Sequence, residues 1–169
     1  MIFKIDFEKA YDSINWGFVE EVLTRKGVDS KFKSWIMSTV TGGRVCVNIN
    51  GDNGAYFRTP QGLRQGDPLC PLLFNLVADA LDHILLKAQY TGHIRGVVPN
   101  LIPGGVTHLQ YANDMVLLMD LDDQTLTNMK FLLYCFEWMT GLKINYHKSE
   151  VIVFGVDQVE QQRVANILN

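Results

Sequence analysis

Polar and apolar residues alternate at the start of the chain and then change to a helical spacing. In residues 2–7 the odd-numbered side chains are apolar, and Asp6 lies on the opposite, polar face. This period of two predicts a half-buried β-strand. Apolar residues then recur every three or four positions over 16–23 and 32–40, and each run stops before a glycine. The pattern predicts two helices after the strand.

Two hairpins and a long helix are predicted next. Residues 44–59 alternate on both sides of Gly51-Asp52-Asn53-Gly54, which predicts a hairpin with its turn at those four residues. Pro71 is a good first residue for the long amphipathic helix that follows. Residues 109–118 read as two apolar arms around Tyr111-Ala112-Asn113-Asp114, which predicts a second hairpin with that tetrapeptide at its tip.

The last third of the chain predicts one more helix and a strand region. Asp122 or Asp123 caps a helix that runs to Gly141, and residues 143–155 predict one or two strands that end the domain. Strands and helices follow one another without strict βαβ regularity. The predicted class is therefore α+β, with a largely antiparallel sheet in a single domain.

Composition narrows the classes of function. A chain of 169 residues with 47% apolar and 20% charged residues is typical of one globular domain. Its net charge of −3 argues against a free-standing nucleic-acid binder, which usually carries a basic patch. The cysteines are odd in number and widely spaced, so neither a disulfide framework nor a zinc site is indicated. Charges interrupt the first ten residues and the longest apolar stretch, so we expect an intracellular protein, nuclear or cytoplasmic, that is neither secreted nor inserted in a membrane.

Two aspartates are the candidate chemical groups. Asp6 is a carboxylate on the polar face of the first strand, and Asp114 lies at the tip of the second hairpin. A sheet that sets this strand beside this hairpin would bring the two carboxylates together, and hard cations such as Mg²⁺ prefer clustered carboxylates. From spacing alone, a solvated strand aspartate and an ordinary Asn-Asp turn explain the same residues.

Four stretches resemble, in order, motifs A to D of the reverse transcriptase palm: FKIDFEKAYDSINW, GLRQGDPLCPLLFNLVADAL, HLQYANDMVLL and GLKINYHKSE. The similarity is greatest to non-LTR (LINE-type) retrotransposons, the kind abundant in plant genomes. It covers nearly the whole chain, as one palm domain over 1–169 with motif A at 2–16, motif B at 62–81, motif C at 108–118 and motif D at 141–150. It implies a right-hand polymerase palm with a ferredoxin-like antiparallel sheet packed on helices.

The resemblance also implies a chemistry and its partners. These are two Mg²⁺ ions, an RNA template, a DNA primer and dNTPs, used for RNA-directed DNA synthesis. Because motif A begins at residue 2 and only nineteen residues follow motif D, we expect most of the fingers and all of the thumb of the parent polyprotein to be missing. Those parts would normally supply much of the basic groove that holds template and primer, which would explain the acidic net charge.

Motif A carries the first group of implied site residues. Asp6 matches the carboxylate that binds both metal ions, and the backbone carbonyl of Phe7 would add a further oxygen ligand. Tyr11 matches the aromatic residue that screens against a ribose 2′-hydroxyl, although ordinary packing between strand and helix explains a tyrosine here equally well. Asp12 matches an acidic position of this lineage that helix capping also explains.

Motif B supplies the implied nucleotide-binding residues. Gln65 and Gly66 match the loop that contacts nucleotide and template, and Arg64 could meet triphosphate oxygens or simply be solvated. Pro60-Gln61-Gly62 spells a similar sequence, but the run that follows Gln65 keeps the family's register. Cys70 stands where serine is more usual.

Motifs C and D complete the implied site. Lys143 and Lys148 lie in motif D, where a lysine is thought to protonate the pyrophosphate leaving group. Lys148 fits the spacing of the motif better. The alternative explanation is that both lysines are solvated on a strand edge and prevent edge pairing. In motif C the family reads Y-A-D-D or F-A-D-D, and the first Asp is a metal ligand. Here that position is Asn113, whose amide oxygen is uncharged.

The substitution at Asn113 and the implied truncation predict a folded palm that is catalytically crippled. Phosphoryl transfer depends almost wholly on positioning and electrostatic stabilisation, so losing an anionic ligand should damage rate more than fold. The alternatives are a non-catalytic palm relic with at most weak nucleic-acid or protein contacts, and another palm-like nucleotidyl enzyme such as a cyclase. The R-Q-G-D-P-L-C-P-L-L-F-N run speaks against the cyclase.

Overall fold

The computed structural model describes residues 1–111 and 114–168. Its strands are β1 (Ile2–Ile5), β2 (Phe7–Glu8), β3 (Asn48–Ile49), β4 (Asp52–Asn53), β5 (His108–Tyr111), β6 (Asp114–Leu118), β7 (Lys143–Ile144) and β8 (Glu150–Ile152). Its helices are α1 (Ala10–Ser13), α2 (Trp16–Arg25), α3 (Ser30–Thr41), α4 (Cys70–Tyr90), α5 (Asp123–Thr140) and α6 (Gln158–Leu168).

A four-stranded antiparallel sheet in the order β5-β6-β1-β8 is the centre of the fold. Helix α4 precedes β5 and helix α5 follows β6, so β1, α4, β5, β6, α5 and β8 have the β-α-β-β-α-β order of a ferredoxin-like core. The elements from β2 to β4 are inserted between β1 and α4, and β7 lies between α5 and β8. The predicted α+β class and antiparallel sheet are confirmed. One face of the sheet is buried in the core through Phe3, Ile5, Met115 and Leu117.

Helices α4 and α5 cover that buried face. In α4, residues three or four positions apart are almost fully buried, among them Leu73, Val77 and Leu81; this spacing gives one apolar stripe toward the sheet. Helix α4 begins at Cys70, one residue before the predicted start at Pro71. In α5 the cap is Asp122, whose carboxylate accepts a hydrogen bond from the Thr125 N–H at 2.9 Å.

The sequence prediction was wrong in one turn and missed two helices, the four-residue α1 and α6. It also gave one strand over residues 2–7, where Asp6 separates β1 from β2. The first hairpin turns at Asn50-Gly51, between β3 and β4, and not over residues 51–54; Asn-Gly is the preferred pair for such a two-residue turn. Helix α6 was not predicted. Its start is marked by the Asp157 carboxylate, which accepts the Glu160 N–H at 2.9 Å, and its inner face by Val164 and Leu168. Among the described helices, none combines the length and apolarity needed to cross a membrane.

Candidate active site

The pairing of β1 with β6 sets the relative position of Asp6 and Asp114. The ladder runs from Ile2 opposite Leu118 to Ile5 opposite Met115. Asp6 is the residue after Ile5, and Asp114 is the residue before Met115. Continued by one residue, the register therefore places the two aspartates opposite each other at one end of the strand pair.

The two aspartates also share a face of the sheet. Ile5 and Met115 are buried, and side chains alternate between the two faces along a strand. Asp6 and Asp114 therefore belong to the outer face; Asp6 is half-buried and Asp114 is exposed. Two carboxylates on one face at one strand end form an oxygen-rich donor set of the kind that hard divalent cations prefer.

Asp6 lies in a break between β1 and β2 and is bonded to motif D. Its N–H donates to the Ser149 hydroxyl oxygen at 3.1 Å, and its carbonyl accepts the Asn145 N–H at 2.8 Å. The strand before the break pairs with β8 and the strand after it pairs with β7. Motif D therefore contacts motif A directly, at the backbone of the residue that bears the candidate carboxylate.

Lys148 belongs to the same turn of motif D. Its N–H donates to the Asn145 carbonyl at 3.0 Å and to the Asn145 side-chain oxygen at 3.3 Å, while its side chain is exposed. Lys143 lies in β7, where its partner is Glu8 of β2. Of the two lysines, Lys148 is thus the nearer in sequence to the Asp6–Ser149 contact.

Two of the other motif A residues, Phe7 and Tyr11, pack against the core, and Asp12 does not. Phe7 is buried and pairs with Ile144 of β7. The half-buried Tyr11 ring stacks on Phe74 of α4, with centroids 4.9 Å apart and planes 24° from parallel. Asp12 is exposed within α1, for which Lys9 is the N-cap residue, so capping does not account for Asp12.

The start of the motif B loop is joined to motif A by three hydrogen bonds. The Gly62 N–H donates to the Ile14 carbonyl at 2.8 Å, the Leu63 N–H to the Tyr11 carbonyl at 2.6 Å, and the Trp16 Nε1–H to the Gly62 carbonyl at 2.7 Å. Gly62 and Leu63 thus join the start of the motif B loop to motif A.

The following residues, Arg64, Gln65 and Gly66, are exposed. The Arg64 guanidinium lies over Gly43, because a β-carbon built on that glycine would fall on its Nη2 and Cζ atoms. Burial raises the pKa of the Cys70 thiol at the end of this loop, and the nearby Asp67 charge raises it further. Cys70 is therefore a neutral thiol packed in the core.

The second hairpin has the predicted register, with Tyr111 opposite Asp114. Asn113, the residue that departs from the family motif, lies outside the described residues, as does Ala112.

A separate group of metal-ligand side chains lies on α4. Ligand atoms of Asp79, Asp82 and His83 fall within 4.8 Å of one another. Internal partners already engage the two carboxylates: Asp79 pairs with Lys26, and Asp82 accepts from the nearly buried His108 ring at 2.7 Å. The second contact ties α4 to the start of β5, at the opposite end of that strand from Tyr111.

Sequence reasoning missed the contacts that hold the site together. Ser149 and Gly62 carried no chemical signal of their own, because a serine and a glycine are common in turns. Only the pairing of distant segments reveals that Ser149 faces Asp6 and that Gly62 faces α1.

Comparison with known proteins identifies the family. The profile described as "Reverse transcriptase (RNA-dependent DNA polymerase)" matches residues 1–167. The Pol polyprotein of retrotransposable element R2 of Nasonia vitripennis is 32% identical over 116 residues, which cover 69% of this chain and 10% of that protein. The R2DM polyprotein of Drosophila melanogaster is 31% identical over 154 residues, 87% of this chain and 13% of that protein. The chain thus spans about a tenth to an eighth of these two relatives.

Solved structures agree on the fold. Apo telomerase from Candida tropicalis superposes with a TM-score of 0.66 at 16% identity and covers 93% of this chain and 31% of that one. Telomerase from the same organism, in complex with a fragment of telomeric RNA, gives the same TM-score at 14% identity over 89% of this chain and 25% of that one. With a family profile spanning all but its last two residues and with R2 polyproteins as relatives, the chain belongs to the reverse transcriptase family, among the non-LTR retrotransposons.

Proposed function

We propose that this chain is the palm of an RNA-directed DNA polymerase and that Asp6 and Asp114 are its metal-binding carboxylates. The observation that supports this most is the register of β1 and β6, which sets the two aspartates opposite each other on the outer face. The two residues come from motifs more than a hundred positions apart in the chain, and ordinary solvation of surface aspartates does not require that they meet.

The donor set suits Mg²⁺, the cation proposed for the site. It consists of the two carboxylates with the Phe7 carbonyl as a further oxygen, all hard ligands, and no described histidine or cysteine belongs to it. When bound, Mg²⁺ neutralises negative charge that develops on the transferring phosphoryl group. Two such ions are proposed, as in other members of the family.

The remaining site residues have proposed roles in holding the nucleotide. Tyr11 presents a flat ring, held in place by Phe74, against the sugar of the incoming dNTP. Gln65 and Gly66, which are exposed in the motif B loop, are proposed to contact the nucleotide and template, and Arg64 supplies a positive charge for the triphosphate. Lys148, exposed in the motif D turn, is proposed to donate a proton to the leaving pyrophosphate.

Asn113 makes the proposed activity weak. An amide in place of a carboxylate removes one negative charge from a site whose work is electrostatic, so metal affinity and rate both fall. The proposed partners are an RNA template, a DNA primer and dNTPs, gripped in addition by fingers and thumb segments of the kind found in longer polymerases. We propose an intracellular location, in the nucleus or the cytoplasm, because these substrates occur there.

Primer extension on an RNA template tests the proposal. The chain as written, the Asn113→Asp variant and the double variant Asn113→Asp/Asp6→Asn are compared at micromolar concentrations of template and primer, because a lone palm binds nucleic acid weakly. We expect extension near background for the chain, an increase of about ten-fold or more for Asn113→Asp, and loss of that increase in the double variant. Equal activity with asparagine or aspartate at position 113 would contradict the assignment of this position.

A non-catalytic palm is the second candidate, and the uncharged Asn113 favours it. The two proposals differ in their response to Mg²⁺ with a dNTP: an intact site protects the β5–β6 hairpin from hydrogen exchange, whereas a relic does not respond. Protection in Asn113→Asp but not in the chain as written would assign the loss of function to that single residue.

A further inference from the structure

We propose that Ser149 is a positioning residue for the candidate metal ligand Asp6, acting through a rigid bulge in motif D. This inference rests on the proposed function, since it assumes that the Asp6 carboxylate binds a divalent cation. Ser149 carries no charge and acts only through the backbone of Asp6.

The bulge follows from the change in strand register around Asp6. On one side Lys4 pairs with Glu150, and on the other Phe7 pairs with Ile144. Three steps along the motif A strand therefore correspond to six steps along the opposite strand. The three extra residues lie opposite Asp6. Bulges of this kind re-aim side chains and are over-represented next to active sites.

Internal hydrogen bonds hold the bulge in one conformation. The Asn145 carbonyl accepts the Ser149 N–H at 2.8 Å and the Lys148 N–H at 3.0 Å, which closes a tight turn. Before the turn, the Ile144 N–H donates to the Glu137 carboxylate of α5 at 2.6 Å. The turn is thus fixed both to itself and to a core helix.

This turn binds both polar groups of the Asp6 backbone. Ser149 accepts the N–H through its side chain, and Asn145 donates to the carbonyl through its main chain. Asp6 lies outside both β1 and β2, so these two bonds hold it where the strand is interrupted. Because the carboxylate leaves the same Cα, fixing these groups limits where it can point.

Removal of the Ser149 hydroxyl should therefore loosen Asp6 without removing any charge. Partners that orient a metal ligand typically change metal affinity or activity by about 10–100-fold when they are lost. The Asn145 bond would remain, so we expect the lower end of that range.

Mn²⁺ binding to the full chain, followed by electron paramagnetic resonance, tests the inference without relying on catalysis. Ser149→Ala should bind Mn²⁺ about ten-fold more weakly, and Ser149→Thr, which keeps the hydroxyl, should stay within about two-fold of the parent chain. Ser38→Ala is the control, because the Ser38 hydroxyl also makes a side-chain bond to the backbone, in this case by donating to the Ser34 carbonyl at 2.8 Å on α3. Its Mn²⁺ affinity should not change. If Ser149 had only a structural role, Ser149→Ala would lower the free energy of unfolding and leave the Mn²⁺ affinity of the folded protein unaltered.

A second pair of variants covers the case in which Ser149→Ala does not fold. Ser149→Val has nearly the shape of Ser149→Thr but lacks the hydroxyl, so weaker binding in valine than in threonine supports the inference. Equal Mn²⁺ affinity in those two variants would overturn it. If Ser149→Ala binds Mn²⁺ normally while Asp6→Asn does not, the positioning role of Ser149 is wrong and the metal site stands. If Asp6→Asn and Asp114→Asn also bind Mn²⁺ normally, the proposed function itself fails.

Discussion

The contact between motif A and motif B depends on a glycine that cannot carry a side chain. Gly62 has φ of +96°, and a β-carbon at this position would lie 2.6 Å from the Asp12 carbonyl oxygen and 3.0 Å from the Asp12 Cα. These are backbone atoms, so they cannot rotate away. Gly66, four residues later, has φ of +89° and nothing within 4 Å of the corresponding position. Gly62→Ala and Gly66→Ala therefore both impose backbone strain from a positive φ, and only Gly62→Ala adds a collision with the Asp12 backbone.

The expected size of each effect follows from this difference. A left-handed conformation costs a non-glycine residue about 1–2 kcal/mol, which applies to both variants. In Gly62→Ala the loop must also move off α1, which weakens the three hydrogen bonds between Gly62 or Leu63 and motif A, each worth about 0.5–1.5 kcal/mol. We expect Gly66→Ala to lower the free energy of unfolding by about 1–2 kcal/mol and Gly62→Ala to lower it by roughly 3–6 kcal/mol.

Urea unfolding followed by far-ultraviolet circular dichroism measures both values. A loss of 3–6 kcal/mol is a large share of the about 5–15 kcal/mol that stabilises a typical domain, so Gly62→Ala should be partly unfolded at 37 °C. Free energies of unfolding that agree within about 1 kcal/mol for the two variants would refute the argument. That result would mean that the motif B loop does not rest on α1 as described.

Three further substitutions test other contacts. Asp122→Ala removes the cap of α5 and should lower the free energy of unfolding by about 0.5–2 kcal/mol at pH 7. Hydrogen bonds from Thr125 lower the pKa of the Asp122 carboxyl from its ordinary value of 3.8. The stabilisation from the charged cap is therefore complete above pH 3.8 and disappears as the pH falls through the lower pKa of the folded state, so the urea unfolding curves of parent and variant should converge in acid. Trp16→Phe deletes the Nε1–H that bonds the Gly62 carbonyl and should cost about 1 kcal/mol in the same assay. In the Asn113→Asp background, Tyr11→Ala should raise the incorporation of ribonucleotides relative to dNTPs in steady-state kinetics, whereas Tyr11→Phe should not. If Tyr11→Ala leaves the preference for dNTPs over ribonucleotides unchanged, the role of Tyr11 is limited to its packing against Phe74.

The sheet and its main helices could be predicted because their hydrophobic periods are strong. The alternation over residues 2–7 predicted strand structure but not its interruption at Asp6, the 3.6-residue spacing predicted α4, and Asp122 was one of the two predicted caps of α5. Helix α6 was missed because its apolar face is narrow, with two buried residues, Val164 and Leu168, in eleven. The turn of the first hairpin was predicted too late in the chain, because further turn-forming residues, Asp52 to Gly54, follow Asn50-Gly51.

The candidate site was predicted from its charged residues, and the contacts around it were not. Spacing alone offered Asp6 and Asp114 as candidates, and the resemblance to motifs A and C favoured them as metal ligands. The Ser149–Asp6 bond joins residues 143 positions apart in the chain, and its existence depends on a three-residue bulge that no local pattern specifies. Long-range register of this kind follows from how the sheet assembles, and a single sequence does not record it.

Anomalous diffraction from crystals soaked in MnCl₂ shows whether Asp6 and Asp114 bind a common divalent cation. We expect an anomalous peak coordinated by both carboxylates at the end of the β1–β6 pair, stronger in Asn113→Asp crystals than in crystals of the parent chain. A peak at the Asp79–Asp82–His83 group on α4, with none between Asp6 and Asp114 in either crystal, would contradict it.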